Sequence, residues 1–116
     1  MSNRLDALDA LLDEKHLLRH PFYAHYWNKG LLSTDVLKVY AAQYFQHVKR
    51  FPRYISATHS GCPDLTMRQQ LLENLCEEEA GDGNHPALWR QFAQALGLDD
   101  ATLDKAAPFE STRDLI

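Results

Sequence analysis

A chain of 116 residues, 45% hydrophobic and 24% charged, has the size and composition of one globular domain whose core needs no covalent staples. A net charge of −4 and the absence of any Lys/Arg block exclude the electrostatic footprint of a nucleic-acid binder. No apolar run approaches the roughly 18 residues of a membrane span, and MSNRLDALDALL is not built like a signal peptide, so a cytoplasmic protein without a membrane partner is expected.

Leu5, Leu8, Leu11, Leu12 and Leu18 recur near helical spacing among charged residues, which predicts an amphipathic helix over Ser2 to Arg19. His20-Pro21 ends it, because the residue before proline is pushed out of the α region. A short aromatic helix, PFYAHYWNKG, follows and closes at Gly30. A long helix then opens after Ser33, with Asp35 in its first turn and apolar positions from Val36 to Ile55. Pro52 lies inside that pattern. An interior proline costs about 3 kcal/mol, so a kink or break is expected near Val48–Lys49. SGCPD is a turn, and Asp64 caps a helix reaching about Glu79. AGDGN breaks the chain again. Asn84 or His85 caps the next helix, with Pro86 at its first position and Gly97 after its end. Asp99 caps a short helix over LDDATLDKAA, and PFESTRDLI begins another. No period-2 strand is present, so the fold class is all-α, one helical domain over 1–116. The unfinished last helix, with Leu115 and Ile116, suggests the front portion of a longer protein or a chain completed by a second copy.

Several residue groups suggest chemistry. Glu78 and His85, in EEEAGDGNHPALW, are seven apart across a glycine-broken turn. Helix end, turn and helix start can aim both side chains at one interior point, and carboxylate plus imidazole is the pair that iron, manganese or zinc uses. The alternative is a solvated acidic run followed by an ordinary helix start. His16 and His20, four apart, read as one helix face: an i,i+4 metal pair, or a pair favoured by the helix dipole. His25, His47 and His59 stand alone among aromatics and read as hydrogen-bonded core or boundary residues. Cys62 and Cys76 form no C-x-x-C or Cys/His cluster and read as small buried hydrophobes in a reducing compartment. The many aromatics, Tyr23, Tyr40 and Tyr44 among them, are core by default, with redox relays as the alternative. KRFPRY is too short a basic run to imply nucleic acid.

HPFYAHYWNKGLLSTDVLKVYAAQYF, VKRFPRYISATHSGCPD, LLENLCEEEAGDGNHPALWRQFAQALGL and PFESTRDLI, in that order, resemble the haem-oxygenase-like superfamily of thiaminase II and the pyrroloquinoline-quinone C protein. The likeness is greatest to the family of the chlamydial protein associating with death domains. FPRY, HS-x-C-x-D and EE-x-G-x-x-N-H carry it from about Leu11 onward. The resemblance implies a haem-free helical bundle, here its N-terminal portion, with two metal ions, iron and/or manganese, between helices. It implies oxygen-dependent redox chemistry that makes para-aminobenzoate from a tyrosine of the protein itself. Glu78 and His85 match metal ligands, Tyr23 matches the sacrificed tyrosine, and Tyr40 matches a tyrosine of the pocket. The family's further glutamate and His-x-x-x-Asp-x-x-His ligands lie on later helices that these 116 residues do not include, so the metals are expected to be absent or incomplete in this form. Molecular oxygen is the implied co-substrate; a homodimer is expected from the apolar residues of the unfinished final segment. The alternatives are a metal-free hydrolase like thiaminase II, working through a cysteine, and a non-catalytic helical interaction module.

Overall fold

The computed structural model describes residues 2–116, which contain helices and turns and no strand. The expected all-α class is the observed one. The described residues form two compact units, one ending at Ser33 and one spanning Thr34–Ile116.

In the first unit, helix α1 covers Ser2–Glu14 and stops short of the expected Arg19. The cause is His16. Its backbone turns extended and its Nδ1 accepts a hydrogen bond from Leu18 N–H at 3.1 Å, capping a separate 3₁₀ turn, Leu17–Arg19. A side chain that satisfies a backbone donor locally competes with continuation of the helix. Arg19 folds back onto Asp13, its guanidinium 2.7 Å from the carboxylate. His20 is also extended, and its Nδ1 accepts from Phe22 N–H at 3.2 Å. The two histidines therefore cap consecutive turns and share no helix face, which removes the i,i+4 metal pair. Residues Phe22–Trp27 wind as a π-helix, and the chain leaves this segment through Gly30, whose φ of +64° suits glycine.

In the second unit, α2 (Thr34–Val48) and α3 (Phe51–Gly61) are separated by a break at Lys49-Arg50, as Pro52 dictates. Pro52 sits in the first turn of α3, where its missing N–H costs nothing. Helix α4 (Leu65–Glu79) starts at Asp64, whose carboxylate accepts from Met67 N–H at 2.9 Å. Helix α5 (His85–Ala95) packs on α2, and α4 packs on both α3 and α5. Two short helices complete the unit, α6 (Asp100–Lys105), capped by Asp99, and α7 (Glu110–Leu115).

The core centres on Ala41, Phe45, Ala93 and Leu103, with Trp89, Phe92, Leu96 and Leu98 around them. Ala41 and Ala93 are fully buried, and their small side chains let α2 and α5 approach closely. The Trp89 indole N–H then reaches the Ala41 carbonyl at 2.8 Å, a direct bond between the two helices. Arg90 lies 4.8 Å from the Phe45 ring centroid and bonds Asp104 at 2.6 Å and Asp100 at 3.3 Å, fastening α6 to α5. The Asp104 hydrogen bond is the main reason the guanidinium is held above its ordinary pKa. On the other side of α2, Gln43 Nε2 donates to the Ala107 carbonyl at 3.0 Å, while its Oε1 accepts from Phe109 N–H at 3.0 Å and Thr112 Oγ1 at 2.7 Å. Buried Gln46 donates to the Ala106 carbonyl at 3.0 Å. These two amides dock the segment leading into α7.

Phe45 is 1% exposed, so truncation removes a full aromatic side chain from this core. Phe45→Ala is expected to lower stability by about 3–5 kcal/mol, read as a lower urea midpoint with unchanged slope. A shift within about 0.5 kcal/mol would mean that α2 does not organise the unit.

Candidate functional site

The turn between α4 and α5 is built by Asn84. Its Oδ1 accepts from Ala87 N–H at 2.9 Å, capping α5, while its Nδ2 donates to the Gly81 carbonyl at 2.7 Å. One side chain thus ties the helix start to the loop before it. Gly81, at φ +70°, supplies the reversal after the last turn of α4. The Ala80 N–H bonds the Cys76 carbonyl at 2.8 Å and closes α4 cleanly.

This corner brings Glu78 and His85 together. His85 Nδ1 lies 2.8 Å from Glu78 Oε1. The Glu78 side chain is 12% exposed and that of His85 47% exposed. Glu77 and Glu79 are exposed, so the solvated-run reading is right for the neighbours and wrong for Glu78. Helix phase makes the difference: Glu78 follows Leu71 and Leu75 at helical spacing, and these are the more covered leucines of α4. A carboxylate buried this far needs a partner, and His85 is one. The contact uses Oε1 and Nδ1. The second carboxylate oxygen and the ring Nε2 are the atoms that it leaves for other work.

Carboxylate oxygen and imidazole nitrogen are the donor types that iron and manganese take. Donor number is the limit. Among the described residues no group of three or more His, Cys, Asp or Glu side chains is placed to hold a metal ion. These residues fit as part of a metal centre and do not complete one.

Tyr40 lies in the same unit. It is half-buried, stacked on Tyr44 at 5.4 Å and 17°, and edge-on to Trp89 at 5.9 Å. Trp89 stands four residues after His85 on α5, so the two share a helix face. The stacked tyrosines therefore pack against the α5 face that presents His85. Trp89 was not foreseen from sequence, although its i,i+4 relation to His85 was there to find. Tyr23 lies in the first unit, half-buried in the π-helix, its ring 5.0 Å from Phe22 and 5.9 Å from Trp27.

The remaining candidates are dispersed. His25 is exposed and edge-on to Tyr26. His47 is a half-buried boundary residue packed among Tyr44, Phe51 and Tyr54, and its buried Nδ1 has no hydrogen-bond partner. The His59 carbonyl accepts from Arg68 at 3.1 Å. The cysteines are free, and they are not the buried pair expected: Cys76 is exposed and Cys62 half-buried. The reason for Cys76 is phase, since it follows the covered Leu75 by one residue and so turns to the open side of α4. No described helix is long and apolar enough to cross a membrane.

Residues 6–116 match the TENA/THI-4/PQQC family. The chain belongs to that family. It is 48% identical over 111 residues to the 4-aminobenzoate synthase of Chlamydia muridarum, covering 96% of this chain and 47% of that protein. It is 43% identical over 118 residues to the 4-aminobenzoate synthase of Nitrosomonas europaea, covering 94% of this chain and 48% of that protein. A more distant relative, the 4-chloro-allylglycine synthase of Streptantibioticus cattleyicolor, is 25% identical over 111 residues, covering 96% of this chain and 43% of the relative. The chain spans about half the length of the curated relatives it matches.

Asn84 carries both halves of the corner. Asn84→Ala is expected to cost about 1 kcal/mol of stability. Asn84→Asp, which keeps the cap and loses the bond to Gly81, is expected to cost less. Equal urea midpoints for Asn84→Ala and the parent would show that the corner is held by something else.

Proposed function

We propose that this chain is part of a metal-dependent redox enzyme of 4-aminobenzoate synthesis, and that Glu78 and His85 are two of its metal ligands. The observation that carries the proposal is the 2.8 Å approach of a largely buried carboxylate to the imidazole across the Asn84 corner. The names of the relatives at 43–48% identity support the product. Iron or manganese, as a pair, suits the donor types. The remaining donors would have to be supplied by polypeptide other than these residues, since no third donor side chain joins the pair among the described ones.

Each candidate residue has a definable task. Glu78 would place negative charge where cations bind, and its burial keeps competing water away. His85 would add a neutral nitrogen donor whose ring is oriented by its neighbours. When bound, such a centre would pass electrons to molecular oxygen, which would be the source of the oxidising equivalents. Trp89 and the Tyr40–Tyr44 stack would cover the His85 face of α5 with ring surface and limit solvent access. Tyr23 would be the source of the aromatic ring, and Tyr40 a second tyrosine that takes part in the reaction.

A cysteine-dependent hydrolase is the weaker reading. Cys76 is exposed, and the Cys62 thiol donates to the Asp64 carbonyl at 3.7 Å, a contact that does nothing to generate a thiolate.

In the complete polypeptide, Glu78→Ala and His85→Ala are each expected to weaken iron or manganese binding by at least about 10-fold, measured by metal titration. Unchanged stoichiometry and affinity in both variants would move the centre away from this corner. Tyr23→Phe is expected to abolish formation of 4-aminobenzoate, followed by mass spectrometry; product at the parent level would end the role of Tyr23.

A further inference from the structure

The segment Phe22–Trp27 is wound in a way that determines which aromatic rings meet. Two hydrogen bonds to its carbonyls run five residues back: Asn28 N–H to the Tyr23 carbonyl at 3.1 Å, and Leu31 N–H to the Tyr26 carbonyl at 2.9 Å. Winding of this kind is rare, occurs mostly as single turns and is frequent at functional sites. Five-back bonding widens the turn to about 4.4 residues, or about 80° per residue. Trp27 then returns to an angle between Phe22 and Tyr23. On an α-helix, at about 100° per residue, Trp27 would stand about 140° from Phe22.

The rings follow that geometry. Phe22 and Tyr23 meet edge-on at 5.0 Å and 81°. The Trp27 indole lies 5.9 Å from Tyr23 and 6.2 Å from Phe22. Tyr26, three residues after Tyr23, is excluded from this group. It pairs edge-on with His25 at 5.0 Å and is 48% exposed, whereas Tyr23 is half-buried. Two tyrosines of identical chemistry on one short segment thus have different surroundings.

We infer that Trp27 is a positioning residue for Tyr23: the π winding delivers its indole against the phenol, helps to orient the ring and sets Tyr23 apart from Tyr26. The inference rests on the reading of Tyr23 as ring source and adds the reason that this tyrosine, of the two, is the one presented. An aromatic ring at position 27 is what the contact with the Tyr23 ring requires.

The test compares the parent, Trp27→Phe and Trp27→Leu in the complete polypeptide. Each is treated with tetranitromethane, which nitrates accessible phenols. Trypsin cutting after Arg19 and Lys29 releases residues 20–29, so Tyr23 and Tyr26 are read in one peptide by fragmentation mass spectrometry. The parent is expected to nitrate at Tyr26 in preference to Tyr23. Trp27→Leu is expected to bring the two to parity and to lower the yield of 4-aminobenzoate by at least about 10-fold. Trp27→Phe is expected to restore both the preference and the yield. A nitration preference unchanged in Trp27→Leu overturns the inference, as does a parental yield in that variant. Failure of the underlying reading looks different: Tyr23→Phe would still form product, while the nitration comparison, which needs no turnover, would keep its pattern.

Discussion

A carboxylate that has lost most of its contact with water must be neutralised, hydrogen-bonded or shared with a cation. Glu78 is in that position, and the corner between α4 and α5 brings His85 to it at 2.8 Å. Alone, the pair is a hydrogen bond half open to solvent on the histidine side. Such a bond is a modest source of stability, because the desolvation cost of the carboxylate offsets much of the attraction. Its value lies in holding one oxygen donor and one nitrogen donor close together at a turn whose shape is fixed by Asn84.

The corner is only as rigid as the helix it leads into. Helix α5 is fastened along its length: by Trp89 to the Ala41 carbonyl, by Ala93 against Ala41 and Phe45, and by Arg90 to α6. The same Trp89 packs on Tyr40 and Tyr44, so the group that locks α5 also forms the aromatic surface one helical turn beyond His85. Packing and site are therefore coupled through a single side chain.

Much of this was legible in the sequence, where local chemistry decides. Pro52 broke the long helix at Lys49-Arg50, and Asp64, Asn84 and Asp99 capped the helices they precede, because a short acceptor side chain before a helical run has one economical use. What was missed depends on competition or on distant partners. His16 ended α1 early by capping its own turn, which leucine periodicity cannot reveal. The π winding of Phe22–Trp27 covers too few residues for a period to be measured. Gln43 and Gln46 resemble solvent-facing residues until their carbonyl partners, about sixty positions away, are known. Among the three glutamates before the turn, only the phase set by Leu71 and Leu75 singles out Glu78.

The central claim is that Glu78 and His85 are drawn together in order to face one cation. The most direct measurement is an anomalous difference map of the complete polypeptide crystallised with iron or manganese, with data collected across that metal's absorption edge. The account predicts a peak about 2.0–2.2 Å from a carboxylate oxygen of Glu78 and a ring nitrogen of His85, as short as first-row metal bonds to these donors run. A metal peak elsewhere in the protein, with Glu78 and His85 still bonded only to each other, would contradict it.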